Sequence, residues 1–201
     1  AYRGDESGTF QAVPHNLTVI PELVIIKPRN TGDAWSVGSQ FGATQYAFAY
    51  LNDSNGYGLR NYNSGYGDYY SAPTSTAVNV IGGLRDELTD FVGYLFATLA
   101  GVSKVGTYTG TGADLNVDCG FTAGARFILI KRTDTTGDWY YWDSVRGISA
   151  GNDPYLLLNS TAAEVTGTDY IDPLSSGFTV TSNASSTVNV NGGTYTFLAI
   201  A

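Results

Sequence analysis

One His and one Cys limit the nucleophilic chemistry this chain can host. A Cys–His or Ser–His arrangement would have to use His15. His15 stands in Pro14-His15-Asn16, a turn-like context, and reads as a cap or turn residue. Cys119 precedes Gly120-Phe121 near a strand start and reads as a small buried hydrophobe. The same two counts exclude an internal disulfide framework and a zinc site of four Cys or of paired Cys and His.

Carboxylates offer more. Asp138, Asp143 and Asp153 lie among Trp139, Tyr140, Tyr141, Trp142 and Tyr155. Two carboxylates flanking a glycosidic bond can hydrolyse it. Without hydrolysis, carboxylates accept sugar hydroxyl hydrogen bonds while aromatic faces stack on the ring. The Gly-Asp and Asn-Asp-Pro contexts are also ordinary turn chemistry. The reading therefore ranks turn formation first, carbohydrate contact second and catalysis last. Acidic loops could hold Ca²⁺ through carboxylates and carbonyls, but no spacing matches an EF-hand. No metal site and no cofactor are assigned.

A second candidate surface is the stretch from Asp53 to Ala72, where Tyr57, Tyr62, Tyr66, Tyr69 and Tyr70 sit among Gly, Asn and Ser. Gly and Asn permit unusual backbone angles, and Tyr supplies stiff, amphipathic contact area. The stretch reads as an aromatic loop packed over its own sheet or as a contact surface for a glycan or another subunit. Trp139, Tyr141, Trp142 and Tyr155 complete the proposed contact set.

These residues need elements to position them, and the elements repeat. Leu23-Val24-Ile25-Ile26-Lys27 and Phe127-Ile128-Leu129-Ile130-Lys131 are the same apolar run closed by Lys. Trp35 and Trp139 follow at equal spacing, each after Thr-Gly-Asp. Tyr94-Leu95-Phe96 and Tyr195-Thr196-Phe197 are taken as matching closes. Short apolar runs rich in Val, Ile, Phe and Tyr, bounded by Gly, Asn, Asp and Thr, read as strands and tight turns. The expectation is an all-β protein of two tandem β-sandwich (jelly-roll-like) repeats, residues 1-101 and 102-201. Residues 84 to 91 read as an insertion holding one helical turn. Lys27 and Lys131 read as snorkelling strand ends or ion-pair partners of a nearby Asp.

Composition narrows the partners. Of 201 residues 14% are charged, against about 25% in average globular proteins. The net charge of -8 argues against gripping a phosphate backbone, so no nucleic acid is expected. No apolar run approaches the roughly 18 residues of a spanning helix, so no membrane insertion is expected. The chain begins at Ala1, which reads as a processed product or a fragment, with a signal peptide absent or removed. Arg3-Gly4-Asp5 is too short to carry an adhesion reading, and the Asn-x-Ser/Thr sites read as turn-rich sequence.

The second half carries a more specific pattern. It runs Gly120-Phe121, Ala125-Arg126 into Phe127 to Asp134, Gly137-Asp138-Trp139 and Asp143-Ser144-Val145-Arg146-Gly147-Ile148. It continues with Gly151-Asn152-Asp153-Pro154-Tyr155-Leu156, Leu158-Asn159, Asp172-Pro173, Ser176-Gly177-Phe178 and Gly193-Thr194-Tyr195. This resembles a repeat domain of tailed-bacteriophage structural proteins, tail and tail-fibre proteins among them. The first half, from His15-Asn16-Leu17 through Pro21 to Lys27, resembles another copy, more loosely between Ser36 and Gly93. The resemblance implies a virion component, not an enzyme, and supplies no catalytic residues. Its implied partners are copies of the same chain in a homotrimer, other virion proteins and a host-surface glycan. A capsid decoration or head-fibre protein, a polysaccharide-cleaving enzyme and a carbohydrate-binding module are the alternatives.

Overall fold

Runs such as Leu23–Ile26 and Phe127–Ile130 have no polar face to give to water, so they become central strands with every side chain buried or nearly so. The computed structural model describes residues 1–5, 10–62 and 69–201. The chain divides into two compact units. The first comprises Ala1–Leu51 and Tyr57–Ala97, the second Asn52–Gly56 and Thr98–Ala201. The division falls before Thr98, four residues ahead of the expected boundary after residue 101. Thr98 Oγ1 bonds both the N–H and the carbonyl of Val105, each at 3.3 Å, which ties residue 98 to the strand that follows.

The first unit contains β1 (Tyr2–Arg3), β2 (Gln11–Pro14), β3 (Leu23–Pro28), β4 (Ser36–Ser39), β5 (Gln45–Tyr50), β6 (Gly58–Asn61), β7 (Ala77–Val80) and β8 (Asp90–Phe96). The main sheet runs β1-β8-β3-β4-β5-β6, and β2 pairs with β7 in a second layer. The core lies between the layers. Val24, Ile26, Tyr46 and Phe48 from the main sheet meet Val78 and Val80, with Tyr70, Leu84 and Phe91.

The second unit contains β9 (Ser103–Thr109), β10 (Leu115–Asp118), β11 (Phe127–Arg132), β12 (Trp139–Asp143), β13 (Leu156–Leu157), β14 (Ile171–Leu174), β15 (Gly177–Val180) and β16 (Thr194–Ile200). Its main sheet runs β9-β16-β11-β12-β13, and its second layer runs β10-β15-β14. Ile128, Ile130, Trp142, Tyr195 and Phe197 pack on Val117, Ile171, Phe178 and Val180. All pairings between strands are antiparallel, so the fold is an all-β sandwich in both units.

The strand orders correspond over β1-β8-β3-β4-β5 and β9-β16-β11-β12-β13 and over β2-β7 and β10-β15, with β6 and β14 left without a counterpart strand, and the registers align the shared strands residue by residue. Ile26 pairs with Ser36 and Ile130 with Tyr140. Val24 pairs with Gly38 and Ile128 with Trp142. Pro28 pairs with Phe91 and Arg132 with Tyr195. The close of each half therefore aligns Phe91 with Tyr195, not Tyr94 with Tyr195. Tyr2 stacks on Phe91 and Tyr108 on Tyr195, both at 4.9 Å, and Tyr2 and Tyr108 each donate to a backbone carbonyl at 2.6 Å.

The helical turn is also placed differently from the sequence expectation. It is a 3₁₀ turn at Gly82–Arg85, with a counterpart at Ser182–Ala184 in the second unit. Each follows the end of a second-layer strand, and each buries one residue, Leu84 or Ala184. It is a shared feature and not an insertion, and four residues separate it from β8, which starts at Asp90.

Candidate functional site

The residues singled out for chemistry are engaged separately. His15 accepts the Leu17 N–H at Nδ1 and donates from Nε2 to the Thr74 carbonyl, each at 3.2 Å, so it holds a turn. Cys119 is buried, and burial, with Asp118 adding to it, pushes its thiol up to about 11. Asp138 accepts from Asn159 Nδ2 at 2.7 Å. Asp143 caps the turn after β12. It accepts the N–H groups of Val145 and Arg146 at 2.9 Å, the Tyr141 hydroxyl and the Arg146 guanidinium. Its partial burial raises the carboxyl, but the Tyr141 hydroxyl and these N–H groups outweigh that and hold it below the ordinary value. Asp153 is fully buried, and its Oδ2 accepts the Tyr170 and Ile171 N–H groups at 2.8 Å. Burial is the main cause that raises its carboxyl to about 6; the N–H groups oppose it, and Asp169 and Asp172 add to it. Among the described residues no three His, Cys, Asp or Glu side chains gather as a metal-binding group. No helix among them is long and apolar enough to cross a membrane.

Lys131 does not snorkel. Lys131 is 0% exposed, donates to the carbonyls of Ser54 and Gly137, and lies 5.7 Å from the Trp139 ring centroid. Burial pulls its ammonium down to about 8, with Asp53 and Asp138 opposing that shift. Lys27, its register equivalent, is partly buried and donates to the Pro28 and Thr31 carbonyls at 2.7 and 3.2 Å. Backbone oxygens, not Asp partners, satisfy both.

The proposed contact set splits. Tyr70, Trp139 and Trp142 are 0–1% exposed and Tyr155 is 9% exposed, so these four are core and not contact surface. The reason is volume. A Cβ at Gly38 would stand 2.7 Å from Tyr70 Cε2, so the glycine opens the hole that Tyr70 fills. Tyr57 and Tyr62 are half-buried, and Tyr62 stacks on Tyr46 at 5.6 Å. Tyr141 is half-buried and faces Asp143 and Arg146. Tyr66 lies outside the described residues.

Tyr69 belongs to a cavity. Its ring lies flat on Phe48, with centroids 4.6 Å apart and planes at 4°, and its hydroxyl meets that of Tyr50 at 2.9 Å. Both tyrosines line a cleft of about 240 Å³ together with Asp33, Ser36, Gly83 and Asp86. Asp33 comes from the β3–β4 loop, where the Thr31 hydroxyl donates to it at 2.6 Å. Asp86 follows the 3₁₀ turn. A Cβ at Gly83 would stand 3.9 Å from both Asp86 Oδ2 and Tyr69 Cε1, so this glycine leaves the gap between them open. Sequence reasoning found Tyr69 but missed Tyr50, Asp33 and Asp86. The signal for Asp33 was present in the repeated Thr-Gly-Asp stretch.

The second unit has a cleft at the equivalent place, of about 100 Å³, lined in part by Arg132, Tyr140 and Ser186. By register, Arg132 replaces Pro28 and Tyr140 replaces Ser36. Arg132 is held in a two-bond pair with Asp134, at 2.9 and 3.0 Å.

The fold and the cleft define an all-β protein of two topologically matched sandwich units with a polar, tyrosine-lined cavity in the first. Residues 1–201 match the family described as a domain of unknown function, DUF7483, and the chain belongs to that family. No curated protein and no solved structure matches it.

Proposed function

We propose that this protein is a structural component of a tailed-phage virion, part of a tail fibre, and that it attaches to host-surface saccharide by binding without catalysis. The observation that carries the binding part is the first-unit cleft. There two tyrosine hydroxyls and two carboxylates border one 240 Å³ cavity. Carboxylates and phenols accept and donate hydrogen bonds to sugar hydroxyls, and a tyrosine edge offers apolar surface to sugar C–H groups. Tyr50 is fixed on β5, and the Tyr69 backbone N–H is held by the Tyr46 hydroxyl at 3.0 Å. The virion and fibre part rests on the sequence resemblance. A low-charge, tyrosine-rich chain suits packing against copies of itself in a homotrimer.

The test is adsorption of purified protein to host cells, with Tyr69→Ala beside the parent chain and antibody labelling of particles. The expected result is label on the tail and adsorption reduced about tenfold or more by the substitution. Label on the head would favour a decoration protein. Release of sugar from host polysaccharide, lost in Asp86→Asn, would favour a cleaving enzyme. Unchanged adsorption of Tyr69→Ala would remove the cleft from the account.

A further inference from the structure

We propose that the first-unit cleft selects a saccharide bearing a protonated amine, and that its second-unit counterpart is a smaller copy of the same site without that selectivity. The inference rests on the saccharide reading above. Asp33 and Asp86 line the first cleft, and no Lys, Arg or His does. A ligand that pairs with two carboxylates and two phenol hydroxyls, and meets no cation, is a neutral or cationic polyol. An ammonium group gains a charge-assisted hydrogen bond that a hydroxyl or an acetamide does not. An anionic sugar would face like charge, with no Lys, Arg or His among the described lining residues.

The counterpart cleft supports the assignment by contrast. At Pro28's position stands Arg132, which brings a cation to that cleft, and at Ser36's position stands Tyr140, a bulkier residue in the lining of a cleft less than half as large. At Asp86's position, two residues beyond the buried residue of the 3₁₀ turn, stands the uncharged Ser186. The counterpart keeps one carboxylate, Asp138, but sets it beside the Arg132 guanidinium, whereas the first cleft has two carboxylates and no cation among its described lining residues. The site therefore has a stoichiometry of one per chain.

Calorimetric titration of the full chain tests this. The probes are glucosamine oligomers, N-acetylglucosamine oligomers and glucose oligomers at pH 6 in physiological salt. Two variants act on the cleft. Gly83→Leu plugs it from an exposed position with an ordinary backbone angle and no tight neighbour. Asp86→Asn removes one charge. Asp118→Asn, at an exposed β10 position that is not among the cleft's lining residues, controls for net charge.

The expected result is one site per chain, with the amine oligomer bound about tenfold or more tighter than either neutral one. Gly83→Leu should abolish binding, Asp86→Asn should bring the three probes within about threefold of one another, and Asp118→Asn should change nothing. Equal binding of all three probes, lost in Gly83→Leu, would overturn the amine selectivity and leave the saccharide reading standing. Amine binding that survives Gly83→Leu, or that weakens equally in Asp118→Asn, would overturn the proposal as diffuse charge attraction. No binding of any probe would overturn both readings of the cleft.

Discussion

The two units solve one packing problem in opposite ways. In the first, the main sheet carries Gly38 and the opposing layer supplies Tyr70. In the second, the sheet carries Trp142 at the Gly38 position, and the opposing layer supplies Ile171. Tyr70 bridges Val80 as Ile171 pairs with Val180, which fixes the equivalence. All three large side chains are fully buried. Aromatic volume has changed layer while the topology has stayed the same. Interiors tolerate such exchange when total volume is kept. Ser36 and Tyr140 follow the same trend one pair along the strand, so the first unit keeps the larger cleft. The larger cavity here is a consequence of which layer carries the bulk.

The sharpest way to break this comparison is to move the bulk back. Trp142→Gly should destabilise the chain by about 3–5 kcal/mol, as a large aromatic deletion in a core does. Ile171→Tyr alone should cost about 1–3 kcal/mol by overpacking. The double variant should recover part of the loss, with a coupling of about 1–2 kcal/mol in urea denaturation. Strict additivity would show that the two positions do not trade volume.

Asp153 gives a smaller, pH-dependent effect. Its folded carboxyl is raised to about 6, so the folded state holds the proton more tightly than the unfolded chain. Stability from this group is present below pH ~4 and is lost as pH rises through about 6. Asp153→Asn keeps an acceptor for the Tyr170 and Ile171 N–H groups without the buried charge. Relative to the parent, it should gain on the order of 2–3 kcal/mol between pH 4 and 7. A parallel pair of stability curves across that range would contradict the assignment.

The smallest effect sharpens the likeness and not the difference. Tyr2 donates to the Leu84 carbonyl and Tyr108 to the Val188 carbonyl, both at 2.6 Å. Tyr2→Phe and Tyr108→Phe should each cost about 1 kcal/mol in urea denaturation. A large disparity would mean that the matched stacks do different work.

How much of this was legible in the sequence follows from burial. The runs at Leu23 and Phe127 were readable because strands buried on both faces are apolar throughout. The Trp35 and Trp139 spacing then fixed the β3–β4 and β11–β12 hairpins. The closing strands misled, because Tyr94-Leu95-Phe96 mimics Tyr195-Thr196-Phe197 at an offset three residues short. An odd shift flips every side chain to the other face. Tyr94 is accordingly 48% exposed while Tyr195 is 0% exposed. The 3₁₀ turns share no residue pattern, so their equivalence shows only in space. The cleft was hidden for the same reason. Asp33, Tyr50, Tyr69 and Asp86 come from separate segments, and only the folded sheet brings them together. Tyr70 was misjudged because the glycine that makes room for it is Gly38, on another strand.

The central claim is that Tyr50 and Tyr69 border a saccharide site. Fluorotyrosine labelling with ¹⁹F NMR tests it directly, with resonances assigned by single Tyr→Phe variants and glucosamine oligomer as titrant. The account predicts that the Tyr50 and Tyr69 signals shift in a saturable way while Tyr108 and Tyr195, in the second unit, do not move. Saturable binding that leaves Tyr50 and Tyr69 unchanged would contradict it.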